Sequence, residues 1–146
     1  IVTPIFSRYR SGMHYGSHLD NPVMARGKDP IPVDLSMTLF LSPPDSYDGG
    51  ELSIDTEYGT KAVKVPAGDA VIYPTIYYHE VKPVTRGERL ACITWIQSLV
   101  PDPQKRQILY DMAVFSEWLH AKAPGSPQFR QFRKTYLNLY RMWAEA

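Results

Sequence analysis

Cysteine is almost absent. Cys92 is the one cysteine in 146 residues, so the chain cannot close an internal disulfide, which fits a reducing compartment; the cytoplasm is the expected location. Neither sign of charge is in excess. Sixteen Lys and Arg face fifteen Asp and Glu, for a net charge of +1, and no basic run exceeds two residues. Nothing here forms the basic stripe that nucleic acid requires. Long apolar runs are missing too, and none approaches the roughly 20 residues of a membrane span. There is no Gly-rich phosphate loop and no Gly-x-Ser-x-Gly elbow, so kinase and serine-hydrolase chemistry has no support. An initiating Met and a signal-peptide pattern are also lacking. The chain opens on Ile1 and enters a strand-like run almost at once. It reads as a fragment whose N-terminal part is missing.

What is present divides in two. Residues 1–100 are rich in β-branched and aromatic side chains interrupted by Pro and Gly. Strands are expected at 4–9, 13–19, 34–41, 51–54, 60–65, 69–73, 79–84 and 89–98. Short strands at this spacing, without helical periodicity between them, indicate a sandwich or barrel. Pro66-Ala67-Gly68-Asp69 has Pro and Gly where a type II turn needs them, and Asp48-Gly49-Gly50 supplies residues that tolerate positive φ. In the last expected strand Leu90, Cys92 and Ile96 share one face, and Ala91, Ile93 and Trp95 the other. A strand apolar on both faces needs cover on both sides.

Residues 101–146 read as a helical hairpin. Asp102-Pro103 is an N-cap followed by Pro at the first helical position, and Ser126-Pro127 repeats the pattern after a Pro124-Gly125 break. Ile108, Met112, Phe115 and Leu119 recur at helical spacing, as do Phe129, Phe132, Tyr136, Leu139 and Trp143. These stripes are expected to pack as core, with the hairpin covering the outer face of the β-region.

The chemistry-bearing residues are His18, Asp20 and His79. Two imidazoles and one carboxylate make the facial triad that holds non-haem Fe(II) with coordination positions left open. On an extended strand, residues two apart point to one face, so His18 and Asp20 can reach one metal. His79 would come from a distant strand folded beside them. Arg89 follows ten residues later. A guanidinium binds a carboxylate through two parallel hydrogen bonds, which suits a dicarboxylate cosubstrate. His14 shares parity with His18 but lies about 13 Å away along a strand, too far for the same metal. Tyr15 lies an odd number of residues from His18 and would turn away on a regular strand; a bulge at Gly16 would reverse that. Two other readings remain: a non-catalytic jelly-roll binding module, and a zinc-dependent hydrolase, since His and Asp also suit zinc. Neither accounts for Arg89.

Taken together, Arg8-Tyr9, His18-Leu19-Asp20-Asn21, Thr38-Leu39-Phe40-Leu41-Ser42, Tyr47-Asp48-Gly49-Gly50-Glu51-Leu52, Pro66-Ala67-Gly68-Asp69, His79 and Trp95-Ile96-Gln97-Ser98 resemble the PKHD-type, prolyl/lysyl-hydroxylase-like Fe(II)- and 2-oxoglutarate-dependent dioxygenases, in particular their small bacterial branch. The resemblance implies a mainly β fold, a double-stranded β-helix (jelly roll, cupin-like) with C-terminal helices. It implies Fe(II) on His18, Asp20 and His79, with Arg89 on the distal carboxylate of 2-oxoglutarate. Tyr9 and Trp95 would belong to the cosubstrate pocket. Phe40 stands where some relatives carry a cosubstrate-binding tyrosine. The implied reaction uses O2 and releases succinate and CO2 while hydroxylating a small-molecule or peptidyl substrate, with ascorbate as an optional reductant. No nucleic-acid or membrane partner is expected, and a homodimer is compatible with the reading.

Overall fold

β-Branched and aromatic residues between Pro and Gly breaks form eleven strands, followed by two helices, in a computed structural model that describes residues 1–145. The chain divides into two compact units, Ile1–Gln97 and Ser98–Ala146. The first is a double-stranded β-helix built from two facing antiparallel sheets. One sheet has the order β1 (Ile5–Arg10), β11 (Val84–Ile96), β5 (Leu35–Phe40), β9 (Ala70–Pro74), with β6 (Tyr47–Gly49) pairing the start of β11. The other has the order β2 (Tyr15–His18), β10 (His79–Val81), β7 (Leu52–Thr56), β8 (Gly59–Val63). Phe40 and Tyr73 of the first sheet pack against Leu52 and Ile54 of the second, with Val63, Val65, Val71 and Tyr77 around them. This is the alternating inward face that sheet-on-sheet packing requires.

Three differences from the sequence expectation have physical reasons. Residues 23–32 form a hairpin, β3 (Val23–Arg26) and β4 (Asp29–Pro32), turning at Gly27, whose φ is +66°. Its strands pair only with each other, and Pro30 and Pro32 lie within one of them. Prolines are tolerated on such an edge, but they hide the strand from sequence inspection. Asp29, outside every strand expected above, lies in β4. Second, β6 is a three-residue strand inside the turn-rich Tyr47-Asp48-Gly49-Gly50 segment. Third, the expected strand 89–98 is the second half of a thirteen-residue strand that begins at Val84. Gly87 makes that continuity feasible. Its φ is +73°, and a Cβ there would lie 2.2 Å from the Ser46 carbonyl oxygen, so only glycine lets β6 and β11 approach.

The second unit consists of α1 (Pro103–Lys122) and α2 (Pro127–Trp143). Asp102 caps α1, accepting from the Gln104 and Lys105 amides, and Ser126 caps α2, accepting from the Phe129 amide. Phe129 is buried, and Phe115 meets Phe132 edge to face with centroids 4.9 Å apart. The stripe expected on α1 is only partly buried. Ile108 and Phe115 are each 46% exposed, and Leu109 is the buried side chain. Apolar residues surround this helix, Tyr110, Val114 and Trp118 among them, so periodicity alone could not choose the inward face. No helix among the described residues is long and apolar enough to cross a membrane.

Gly87→Ala is expected to destabilise the chain by more than about 1 kcal/mol, through both the left-handed backbone and the clash with Ser46. Urea unfolding should show a lower midpoint at unchanged slope. An unshifted midpoint would mean that β6 and β11 separate at no cost.

Candidate metal centre and its cavity

Strand pairing brings the two histidines together. β10 runs antiparallel to β2 with His79 opposite His18, and the imidazole centroids are 4.3 Å apart. Each ring is held the same way. His18 Nδ1 lies 2.8 Å from the Gly16 carbonyl oxygen and His79 Nδ1 lies 3.2 Å from that of Tyr77. An Nδ1–H donated to a carbonyl leaves Nε2 as the lone-pair nitrogen, and both Nε2 atoms face Asp20. His18 Nε2 is 3.8 Å from Asp20 Oδ1, and His79 Nε2 is 3.6 Å from Asp20 Oδ2. One ligand atom from each of the three residues lies within 4.8 Å of the others, a spacing that could hold one metal ion. Burial holds the His79 imidazole below its ordinary pKa, against the opposing pull of the Tyr77 carbonyl and Asp20. That favours the neutral form a metal needs.

Asp20 lies just beyond the end of β2, so strand parity is not what aims it. Its orientation comes from Ser36 on β5, fully buried, whose hydroxyl donates to Asp20 Oδ2 at 2.5 Å. Sequence reading missed Ser36 in this role. Tyr73 on β9 was also missed. Its ring packs edge-on against His79 with centroids 5.1 Å apart, and its phenol is pushed far above the usual value, first by burial and then by the charge of Asp20. Alternation along β5 and β9 could have flagged both as inward-facing, but nothing local marks them as polar members of a site.

The triad opens into a cavity of about 400 Å³ lined by Ser7, Tyr9, Tyr15, His18, Asp20, Met24, Thr38, Tyr73, His79, Arg89, Ile93 and Trp95, among others. Tyr9, Arg89 and Trp95, singled out from sequence, all line it. Arg89 and Trp95 share a face of β11, as their even spacing requires. Tyr15 lines it as well, with its ring edge-on to His18 at 4.3 Å. The parity problem is solved by an irregularity: Val81 pairs with Tyr15 while His79 pairs with His18, so β2 uses one residue more than β10 over that stretch. His14 does not line the cavity. Met24, from the unexpected β3–β4 hairpin, does.

Arg89 is the electrostatic centre of the cavity wall. It is 0% exposed, yet Nε, Nη1 and Nη2 all lack a hydrogen-bond partner. Burial pulls its pKa below the ordinary guanidinium value, and nearby Tyr47, Tyr9 and Tyr73 oppose that pull. Arginine keeps its proton regardless. Its Cζ sits 5.5 Å from the Tyr9 ring centroid and 5.2 Å from that of Phe40. A buried guanidinium without a protein acid fits a carboxylate that arrives with a ligand. Trp95 Nε1 is a further buried donor without a partner.

These features match known proteins. The family model for the 2OG-Fe(II) oxygenase superfamily matches residues 4–97. A PKHD-type hydroxylase of Xanthomonas euvesicatoria pv. vesicatoria is 47% identical over 99% of this chain and 65% of its own length. One from Hyphomonas neptunium is 49% identical over 97% of this chain and 64% of its own. The chain thus spans about 65% of the length of these curated relatives. Among solved structures, a Pseudomonas putida prolyl-4-hydroxylase aligns with 64% of this chain and 51% of its own at 31% identity and a TM-score of 0.52. The fold, the open His-Asp-His cluster and the sequence match over the β-unit agree: the chain belongs to the 2OG-Fe(II) oxygenase superfamily.

Proposed function

We propose that this chain carries the catalytic core of an Fe(II)- and 2-oxoglutarate-dependent hydroxylase, working in the cytoplasm on a peptidyl or small-molecule substrate. The observation that carries the reading is Arg89: a buried, unpartnered guanidinium in the wall of the cavity onto which the His-Asp-His cluster opens. In this reading His18, Asp20 and His79 hold the iron, and Arg89 takes the distal carboxylate of 2-oxoglutarate. Tyr9 and Trp95 help enclose the cosubstrate. Iron and 2-oxoglutarate, when bound, supply the oxidising power: O2 places one oxygen atom in a substrate C–H bond and the other in succinate, with release of CO2. The protein's part is placement. The Gly16 and Tyr77 carbonyls fix the two rings, and Ser36 fixes the carboxylate. Tyr15, Met24, Ile93 and Trp95 give the cavity an apolar lining that limits water. No side chain has to act as a nucleophile. A binding module or a zinc hydrolase would leave Arg89 without a purpose.

His79→Ala is expected to abolish Fe(II) binding while circular dichroism stays that of a β fold, because a triad missing one ligand holds metal poorly. Ser36→Ala should be milder, weakening metal affinity by roughly 10–100-fold, the usual effect of removing a partner that orients a ligand. Iron titration by calorimetry reads both, and full-strength binding by His79→Ala would remove it from the set.

Arg89→Ala should raise the 2-oxoglutarate requirement far more than it weakens iron binding, since losing a desolvated bidentate contact costs about 2–5 kcal/mol. Under anaerobic conditions, iron and 2-oxoglutarate together should give a weak visible charge-transfer band that the variant shows only at much higher cosubstrate. No band with the unaltered chain at any concentration would defeat the dioxygenase reading. A succinate-release screen across peptides and small molecules then identifies the substrate.

A further inference from the structure

We propose that Tyr47 is a positioning residue that sets cosubstrate selectivity by holding the Arg89 guanidinium from behind; the inference rests on the dioxygenase reading of the cavity. A guanidinium carries more N–H donors than one carboxylate can accept. The remainder need acceptors, and Arg89 has no acidic partner among the described residues. Phenols surround it. Tyr9 and Tyr73 line the cavity and face its contents. Tyr47 does not line the cavity, is 0% exposed, and its hydroxyl is buried without a partner. It nevertheless sits beside the Arg89 side chain, since a single atom added at Gly50 would touch both.

The fold builds this adjacency. Tyr47 pairs with Gly87 across β6 and β11, two residues before Arg89. Gly50 keeps the space between them open: a Cβ there would lie 3.1 Å from both Arg89 Cδ and Tyr47 Cε2. Lys64 anchors the tyrosine from its other side, with Nζ 4.0 Å from the ring centroid and donating to the Tyr47 carbonyl oxygen at 2.7 Å. The Phe40 ring also lies near the guanidinium but offers no oxygen. Tyr47 Oη, buried and without another hydrogen bond, is the acceptor this proposal assigns to an N–H that the incoming carboxylate does not take. With that N–H held, the other edge of the guanidinium stays turned to the cavity.

Tyr47→Phe keeps the ring, the Lys64 contacts and the packing, and removes only the acceptor. The test is calorimetric binding of 2-oxoglutarate, and of 2-oxopentanoate, which has the same chain without the distal carboxylate, to the anaerobic Fe(II) protein. Tyr47→Phe should weaken 2-oxoglutarate by roughly 10–100-fold, the range for a hydrogen bond to a charged group, while leaving Fe(II) and 2-oxopentanoate affinities within about twofold. Preference for the dicarboxylate should therefore collapse. Unchanged 2-oxoglutarate affinity, or equal loss for both oxo acids, would overturn the proposal, the second outcome marking a merely structural role. Arg89→Ala separates this failure from a failure of the underlying reading. If the unaltered chain binds 2-oxoglutarate, and loses it on Arg89→Ala but not on Tyr47→Phe, only the role of Tyr47 falls. If the unaltered chain does not bind 2-oxoglutarate, the dioxygenase reading falls and this inference with it.

Discussion

Arg89 brings a full positive charge into the protein interior, where no acid among the described residues meets it. Removing such an ion from water costs several kcal/mol even after relaxation. A fold that tolerates this must recover the cost across the rest of the β-unit, and much of the unit is arranged around it. The long strand β11 sets Arg89 opposite Tyr9 of β1, two residues before its pairing with β5 begins at Ala91. Tyr9 and Phe40 contribute ring faces within 6 Å of the guanidinium, a distance at which cation–π attraction offsets part of the desolvation. Gly50 and Gly87 omit side chains where β6 must close against β11.

The candidate metal centre solves a different problem, which is precision. Its three candidate ligands come from two places in the sequence, about sixty residues apart. Only sheet pairing can fix their spacing, and His79 opposite His18 fixes it directly. Asp20, beyond the end of its strand, lacks that support and takes it from the facing sheet through Ser36. The facing sheets therefore place the candidate ligands and the Arg89 charge around one cavity.

Much of this was legible in the sequence, for reasons that differ by residue. His18, Asp20 and His79 stood out because their residue types are chemically distinctive, although the strand parity expected to aim Asp20 ends at His18. Arg89 stood out because it follows His79 by ten residues at the head of an apolar run, where a guanidinium can meet a dicarboxylate. Both helix N-termini were readable because Asp102-Pro103 and Ser126-Pro127 encode capping locally. Ser36, Tyr73 and Tyr47 were not readable in their roles. Each acts through a partner far away in sequence, and a serine or tyrosine in a strand violates no local rule. Tyr15 shows the limit most clearly. Its side of the strand depends on one extra residue in β2, and register is a property of the pair of strands.

The buried groups without partners explain why these limits fall where they do. Arg89, Tyr47 and Trp95 break the rule that interior polar atoms are satisfied, and Arg89 and Trp95 line the cavity while Tyr47 lies beside Arg89. Local rules fail together where a protein keeps binding capacity in reserve for a ligand. The same cluster links stability to occupancy. A dicarboxylate that neutralises Arg89 binds the folded state and not the unfolded chain, so its binding energy adds to folding energy. The cost of burying this charge is thus one that a bound carboxylate would offset. Selection for binding can then maintain a buried arginine that selection for stability alone would replace.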